Sequence, residues 1–128
     1  MTRREQREQA FLLIYQQIFG SEPEKINAED FTLWTYEENE FTSSLVNGVY
    51  EKKEELDSLI EKYLKGWTIN RISTVALAVL RMAVYEMKYV GTPASIVINE
   101  AVEIVKNYSL PPDSSFVNGV LSSVEKSL

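Results

Sequence analysis

The sequence contains neither cysteine nor histidine among its 128 residues. The absence of cysteine fits a reducing compartment and excludes disulfides, thiolate metal sites and cysteine nucleophiles. The additional absence of histidine excludes Ser-His-Asp triads, Cys-His dyads and most zinc sites. Any catalysis would therefore rest on carboxylates, lysine, tyrosine or a bound cofactor. We predict a protein that is not an enzyme and that holds neither a metal nor a cofactor.

Glycine and long apolar runs are also scarce. The five glycines stand far apart, so there is no glycine-rich phosphate loop. The longest apolar run, Val75 to Leu80, is much shorter than the roughly 20 residues of a membrane-spanning helix, and no signal peptide precedes it. The acidic clusters lack the spacing of a metal-binding loop and are interpreted as solvated faces. We therefore expect a cytoplasmic protein.

The residues that are present indicate one helical domain over 1–128. The composition, 45% hydrophobic and 25% charged, is that of an ordinary soluble domain. Apolar residues recur at helical spacing from Phe11 to Ile18, and further helices are predicted over 27–36, 40–65, 70–90 and 93–108. A last helix is predicted to start behind Asp113 or Ser114 as its cap. These elements predict an all-α fold, a packed helical bundle.

Local signals set the expected helix ends. Thr2 and Glu5 have the spacing of a capping box, and the breaker cluster 20–23 predicts that the first helix ends near Gly20. Gly48 interrupts the predicted helix 40–65, which indicates either close helix packing or a local break. The segment 70–90 is apolar on nearly all sides, which is typical of a central buried helix.

Arg3, Arg4 and Arg7 are concentrated in the first helix of a chain whose net charge is −6. Arg3 and Arg7 share one helical face, and that row continues into Phe11 and Tyr15. Guanidinium groups beside aromatic rings suit single-stranded RNA, because the cations pair with phosphates and a ring can stack on an unpaired base. The alternative is that nearby glutamates neutralise the arginines and that the aromatic rings belong to the core.

Three segments together resemble the NusB family of bacterial transcription antitermination factors. They are the arginine-rich "RREQREQAFLLIYQ", the pair "LRMAVYEM" and "VINEAVEIVK" separated by a proline loop, and the C-terminal "FVNGVLSS". The less distinctive "SLVNGVYEKKEELDSLIEKYL" and Trp67 connect them. The resemblance spans essentially the whole chain, and its order, spacing and length agree with a stand-alone NusB protein.

This resemblance implies about seven helices in two sub-bundles, over about 1–66 and 67–128, and no enzymatic activity. It also implies binding to the boxA element of nascent RNA together with NusE, a ribosomal small-subunit protein. The complex would join the elongating RNA polymerase and promote transcription of ribosomal RNA operons.

The resemblance also suggests site residues. The start of "FVNG" carries over as RNA-facing Asp113, Ser114, Ser115 and Phe116, beside the first helix with its three arginines and Tyr15. Asn99 and Glu100 are interpreted as helix caps or as partners of Arg81.

A partner-binding surface is expected at Tyr15, Ala76 and Leu77. Relatives carry an acidic, NusE-facing residue where this chain has Ala76, so the apolar Ala76-Leu77 pair could form a different docking surface or a self-association patch. The alternative function is therefore a helical protein-interaction module or homodimer that does not bind RNA directly.

Overall fold

A computed structural model describes residues 1–18 and 37–128 of the chain. The predicted helix 27–36 and the predicted helix end near Gly20 lie outside these residues. Within them the secondary structure is entirely helical, so the all-α prediction is confirmed. None of the helices in the described ranges has the length and apolar character needed to cross a membrane.

The described residues form five α-helices rather than about seven. Their bounds are α1 Arg3–Ile18, α2 Glu40–Glu61, α3 Thr74–Tyr85, α4 Ala94–Tyr108 and α5 Pro111–Glu125. A short 3-10 turn, Ile69–Arg71, precedes α3, and a π turn, Glu86–Val90, follows it directly. The single predicted helix 70–90 is thus three consecutive elements.

Capping side chains explain where several helices begin. The predicted capping box of α1 is present, because the Thr2 backbone N–H donates to Glu5 Oε1 at 2.7 Å and the Glu5 N–H donates to Thr2 Oγ1 at 3.1 Å. Asn39 caps α2 by accepting from the Thr42 N–H at 2.8 Å. Ser73 caps α3 by accepting from the Ala76 N–H at 3.1 Å, which starts that helix later than predicted.

The start of α5 differs from the prediction. The helix begins at Pro111, so Asp113 and Ser114 lie in its first turn and neither is its cap. Proline suits this position, because the first N–H groups of a helix have no intrahelical acceptor and the ring fixes a helical φ. The two prolines therefore start the last helix.

Helix α3 occupies the centre of the described bundle and packs against α1, α2, α4 and α5. Every position from Ala76 to Val84 is buried. Helix α2 continues without a break through Gly48, where a Cβ atom would overlap the ring of Tyr85. Close packing, the first of the two explanations for this glycine, is therefore correct. Because α3 contacts helices from both halves of the chain, the division into sub-bundles near residue 66 stays a prediction.

Candidate nucleic-acid interface

Arg3 presents an exposed guanidinium at the start of α1. Its Cζ lies 3.9 Å from the centre of the Phe41 ring, and Nη1 donates to Gln6 Oε1 at 3.1 Å. An open cleft of about 440 Å³ adjoins this group, lined by Arg3, Gln6, Asn39, Glu40, Phe41 and Ser44. Within the described residues Arg3 makes no ion pair. Its charge is therefore available to a phosphate, with the ring holding the side chain in place.

Arg4 also reaches the surface, but its charge is paired. Its Nε and Nη2 donate to the two carboxylate oxygens of Glu100 at 3.0 and 3.1 Å, while 61% of the Arg4 side chain remains exposed. The hydrogen bond to Glu100 and its negative charge raise the pKa of Arg4. The expected pairing of Glu100 with Arg81 is wrong, because Arg81 instead forms a bidentate pair with Asp57 at 2.8 Å.

Arg7 is buried, which contradicts its assignment to an RNA-facing surface. Its Nε donates to Glu86 Oε1 at 2.9 Å and its Nη2 to Oε2 at 2.6 Å, with both side chains almost fully enclosed. The hydrogen bond that Arg7 donates to Glu86 raises the pKa of Arg7. A phosphate cannot reach this guanidinium without breaking a buried ion pair. Arg7 therefore connects α1 to the π turn after α3.

The aromatic residues of the first helix are divided between core and surface. Phe11 is 1% exposed and belongs to the core, as the alternative explanation held. Tyr15 is partly buried, packs against that core and lies 6.0 Å from Phe11 between ring centres. Tyr108 of α4 packs on the other side of this pair, 5.1 Å from Phe11, and its hydroxyl donates to Glu8. Burial raises the pKa of Tyr108.

The four candidates at the start of α5 have different surroundings. Asp113 accepts hydrogen bonds from Ser73 Oγ at 2.8 Å and from Ser109 Oγ, and so connects the starts of α3 and α5 with the end of α4. Ser114 Oγ donates to the Pro111 carbonyl at 2.9 Å. Ser115 is exposed, and Phe116 is half-buried with one side against the core. Ser115 and Phe116 therefore offer more accessible surface than Asp113.

Ala76 and Leu77 lie inside the bundle, 0% and 7% exposed. The predicted apolar docking or self-association patch at these residues is therefore wrong. The physical reason is their place in α3, where a central helix buries side chains on all sides.

Trp67 is a further candidate residue, although in the sequence it is only a less distinctive match to the family. Its side chain is 56% exposed and lines two cavities together with Phe116. The signal available in the sequence was its position directly after Gly66, outside the helical periodicity. Among the exposed aromatic residues of the described chain, Trp67 is the one that lines these two cavities.

The candidate residues form two groups at opposite ends of α2. Arg3 lies over Phe41 at the start of that helix, whereas Phe116 and Trp67 share a cavity with Tyr63 just beyond its end. A 22-residue helix is about 33 Å long. Arg3 and Phe116 therefore lie near different ends of α2, and one RNA strand would have to extend along the protein to contact both.

Comparison with known proteins decides the family. The sequence profile of the NusB family matches residues 4–126. The chain belongs to the NusB family. The transcription antitermination protein NusB of Acetivibrio thermocellus is 46% identical over 133 residues, covering 98% of this chain and 90% of that protein.

Solved NusB structures have the same fold as this family member. T. maritima NusB matches with a TM-score of 0.87 and 34% identity, covering 98% of this chain and 92% of the other. A crystal structure of the antitermination factors NusB and NusE in complex with double-stranded RNA matches with a TM-score of 0.85 and 30% identity, covering 100% of both chains. The sequence-based assignment to this family and fold is therefore confirmed.

Proposed function

We propose that this protein is a transcription antitermination factor that binds boxA RNA together with NusE and promotes processive transcription of ribosomal RNA operons. The observation that carries the proposal is the full-length similarity to a NusB protein whose structure was solved with NusE and RNA. The RNA polymerase elongation complex would be reached indirectly, through these partners.

The positions of the candidate residues support different roles for them in RNA binding. Arg3 is proposed as a phosphate contact, and Arg4 as a second one once Glu100 releases it. Tyr15, Ser115 and Phe116 are proposed to contact bases or the partner protein. Arg7, Asp113 and Ser114 have intramolecular partners and are proposed to position these groups.

Electrostatics explains why a second protein would be needed. The chain carries a net charge of −6, and two of its three N-terminal arginines are already paired with glutamates. An acidic body repels RNA outside a small positive area, so binding by this protein alone should be weak. A partner such as NusE that extends the positive surface would tighten binding.

The test is a titration of boxA RNA with and without NusE at several salt concentrations. The double variant Arg3→Gln/Arg4→Gln should weaken binding and lower the salt slope, by roughly 0.7 for each phosphate contact removed. Lys126→Gln, which removes a cation beyond the end of α5, serves as the matched control. An Arg3/Arg4 variant with the affinity and salt slope of the control would contradict the site assignment.

We also propose a regulatory role without catalysis, exercised in the bacterial cytoplasm. Homologous NusB proteins are named for antitermination, and this chain lacks both histidine and cysteine. The alternative of a homodimer or protein-interaction module loses one of its supports, because Ala76 and Leu77 are buried. Solution size measurement in the presence and absence of RNA separates the two functions.

A further inference from the structure

Trp67 and Phe116 line an open space on the protein surface. Two cavities, of about 300 and 220 Å³, share these two side chains. We call this space the aromatic cleft and define it by Tyr63, Lys65, Trp67, Arg71, Phe116 and Gly119. Lys65 and Gly66 have positive φ values of 50° and 94°, and this left-handed turn carries the chain from the end of α2 to Trp67. Lysine rarely adopts such a φ, so this turn carries local backbone strain.

The same four-residue sequence, V-N-G-V, occurs in α2 and in α5, and its glycines have opposite surroundings. At Gly48 the missing side chain makes room for the ring of Tyr85, which packs directly against the helix backbone. At Gly119 no atom lies within 4 Å of a built Cβ, and the residue instead lines the aromatic cleft. The second glycine therefore leaves a space of the kind that Tyr85 fills at the first.

Positive charge is found on both sides of this cleft. Lys65 lines the larger cavity and Arg71 the smaller one. Asp113 also lines the smaller cavity, where its carboxylate accepts hydrogen bonds from Ser73 and Ser109. Both side chains are exposed, and across residues 1–18 and 37–128 neither forms an ion pair. They differ in this from Arg4 and Arg7, whose charges are neutralised by glutamates.

We propose that the aromatic cleft binds one unpaired nucleobase of the RNA, stacked on Trp67 and Phe116, with Lys65 and Arg71 contacting the flanking phosphates. This inference rests on the proposed function and adds a base-binding position to it. Accessible aromatic faces bordered by cations are the combination used for single-stranded nucleic acids. The charges favour a nucleotide over an aromatic side chain of a protein, because a nucleotide brings anionic phosphates with its ring.

Tryptophan fluorescence tests this position directly. The chain has two tryptophans, so the variant Trp34→Phe leaves Trp67 as the only tryptophan reporter. Circular dichroism and a thermal melt check that this variant is folded. Titration with single-stranded boxA RNA in the presence of unlabelled, tryptophan-free NusE should quench Trp67 emission in parallel with binding. An RNA series with one abasic nucleotide at a time should abolish the quench at a single position.

Measurements of RNA affinity provide a second test of the aromatic cleft. Trp67→Ala should weaken RNA binding roughly ten-fold, whereas Trp67→Phe should retain most of the affinity, because base stacking needs an aromatic face. Tyr50→Ala is the matched control, since Tyr50 is also an exposed aromatic residue but lies outside the cleft. Lys65→Gln/Arg71→Gln should reduce the salt slope by roughly 1.4 if both contact phosphates of a single strand.

The outcomes separate this inference from the proposed function. If RNA binds without changing Trp67 emission, and Trp67→Ala binds RNA as tightly as wild type does, the aromatic cleft does not bind a base. The proposed function would be unaffected by this result. If NusE quenches Trp67 emission in the absence of RNA, the cleft binds the partner protein and the proposed nucleobase is not its ligand. No RNA binding under any condition, with NusE included, would overturn both.

Discussion

The guanidinium group of Arg7 lies against the carboxylate of Glu86 inside the bundle, with Nη2 2.6 Å from Oε2. Glu86 is the first residue of the π turn, so this pair fixes α1 to the segment that follows the central helix. π turns are rare and often occur near functional sites. Here the turn holds the helix that carries the exposed Arg3 and Arg4.

Removing one member of this pair should be strongly destabilising. Arg7→Ala leaves a carboxylate buried without its counter-charge, and we expect a loss of about 3–5 kcal/mol in the free energy of unfolding. Urea denaturation measures this loss. Arg4→Ala is the control, because its exposed ion pair is screened by solvent and should contribute little. If the two variants are equally stable, the Arg7 pair is not the buried contact described above.

A charge-free replacement distinguishes pairing from packing. The double variant Arg7→Met/Glu86→Leu removes both charges and keeps similar volumes, so it should recover most of the stability that Arg7→Ala loses. Stability as low as that of Arg7→Ala would mean that the loss comes from side-chain volume.

The two V-N-G-V glycines should respond in opposite directions to the same substitution. Gly48→Ala places a methyl group where the Tyr85 ring lies, and we expect a loss of about 1–3 kcal/mol from overpacking. Gly119→Ala meets no atom within 4 Å, so it should gain up to about 1 kcal/mol from the higher helix propensity of alanine. Thermal and urea unfolding of both variants measure this. A stabilised Gly48→Ala would contradict the close approach of α2 and Tyr85.

The predictable part of the structure was local. The capping box at Thr2 and Glu5 depends on residues three apart, and the central character of α3 follows from its apolar composition. Close packing at Gly48 was one of two explanations that the sequence left open. The capping box and the apolar pattern depend on neighbouring residues, which a single sequence shows. The close packing at Gly48 depends on Tyr85 of α3, so the sequence could not decide between its two explanations.

The features that the sequence did not predict depend on contacts between residues far apart in the chain. The acceptor of Arg7 is 79 residues away, and that of Arg4 is 96 residues away, so helical spacing gave no sign that these charges were paired. The prediction of a partner-binding surface at Ala76 was wrong for a different reason. It was inferred from the resemblance, although the apolar surroundings of Ala76 already predicted a buried helix.

The capping box should make α1 sensitive to acid. The hydrogen bond from the Thr2 backbone N–H lowers the pKa of Glu5 below its ordinary value of 4.5. A carboxylate with a lowered pKa in the folded state adds stability above its unfolded pKa and loses it as the pH falls through the folded value. We therefore expect Glu5→Gln to be less stable than wild type at pH 7, with a difference that shrinks on acidification.

A pH series of urea midpoints, descending from 7 through the ordinary value of 4.5, measures this difference. Glu51→Gln, on the exposed side of α2, controls for the loss of one negative charge. A Glu5→Gln deficit that stays constant at every pH would rule out the ionised capping box as its cause.

Asp113 should behave as a structural residue. It accepts hydrogen bonds from Ser73 and Ser109, which cap or follow neighbouring helices. Asp113→Ala should cost roughly 1–2 kcal/mol, because these hydrogen bonds to a charged acceptor are lost. The decisive measurement is a double-mutant cycle with Ser73→Ala, in which the two losses should not add. Strict additivity would show that the two residues do not interact in solution.

Glu100 should limit RNA binding by holding Arg4. The variant Glu100→Gln keeps the shape of the side chain but leaves the Arg4 guanidinium with an uncompensated charge, so boxA RNA should bind more tightly. If Arg4 then gains one phosphate contact, the salt slope should steepen by about 0.7. Glu51→Gln is the matched control, because it removes the same charge from the exposed side of α2 and Glu51 is not among the carboxylates that act on Arg4. Equal gains in RNA affinity in both variants would indicate a general effect of net charge. A gain in affinity confined to Glu100→Gln would show that the ion pair with Glu100 keeps Arg4 from binding RNA.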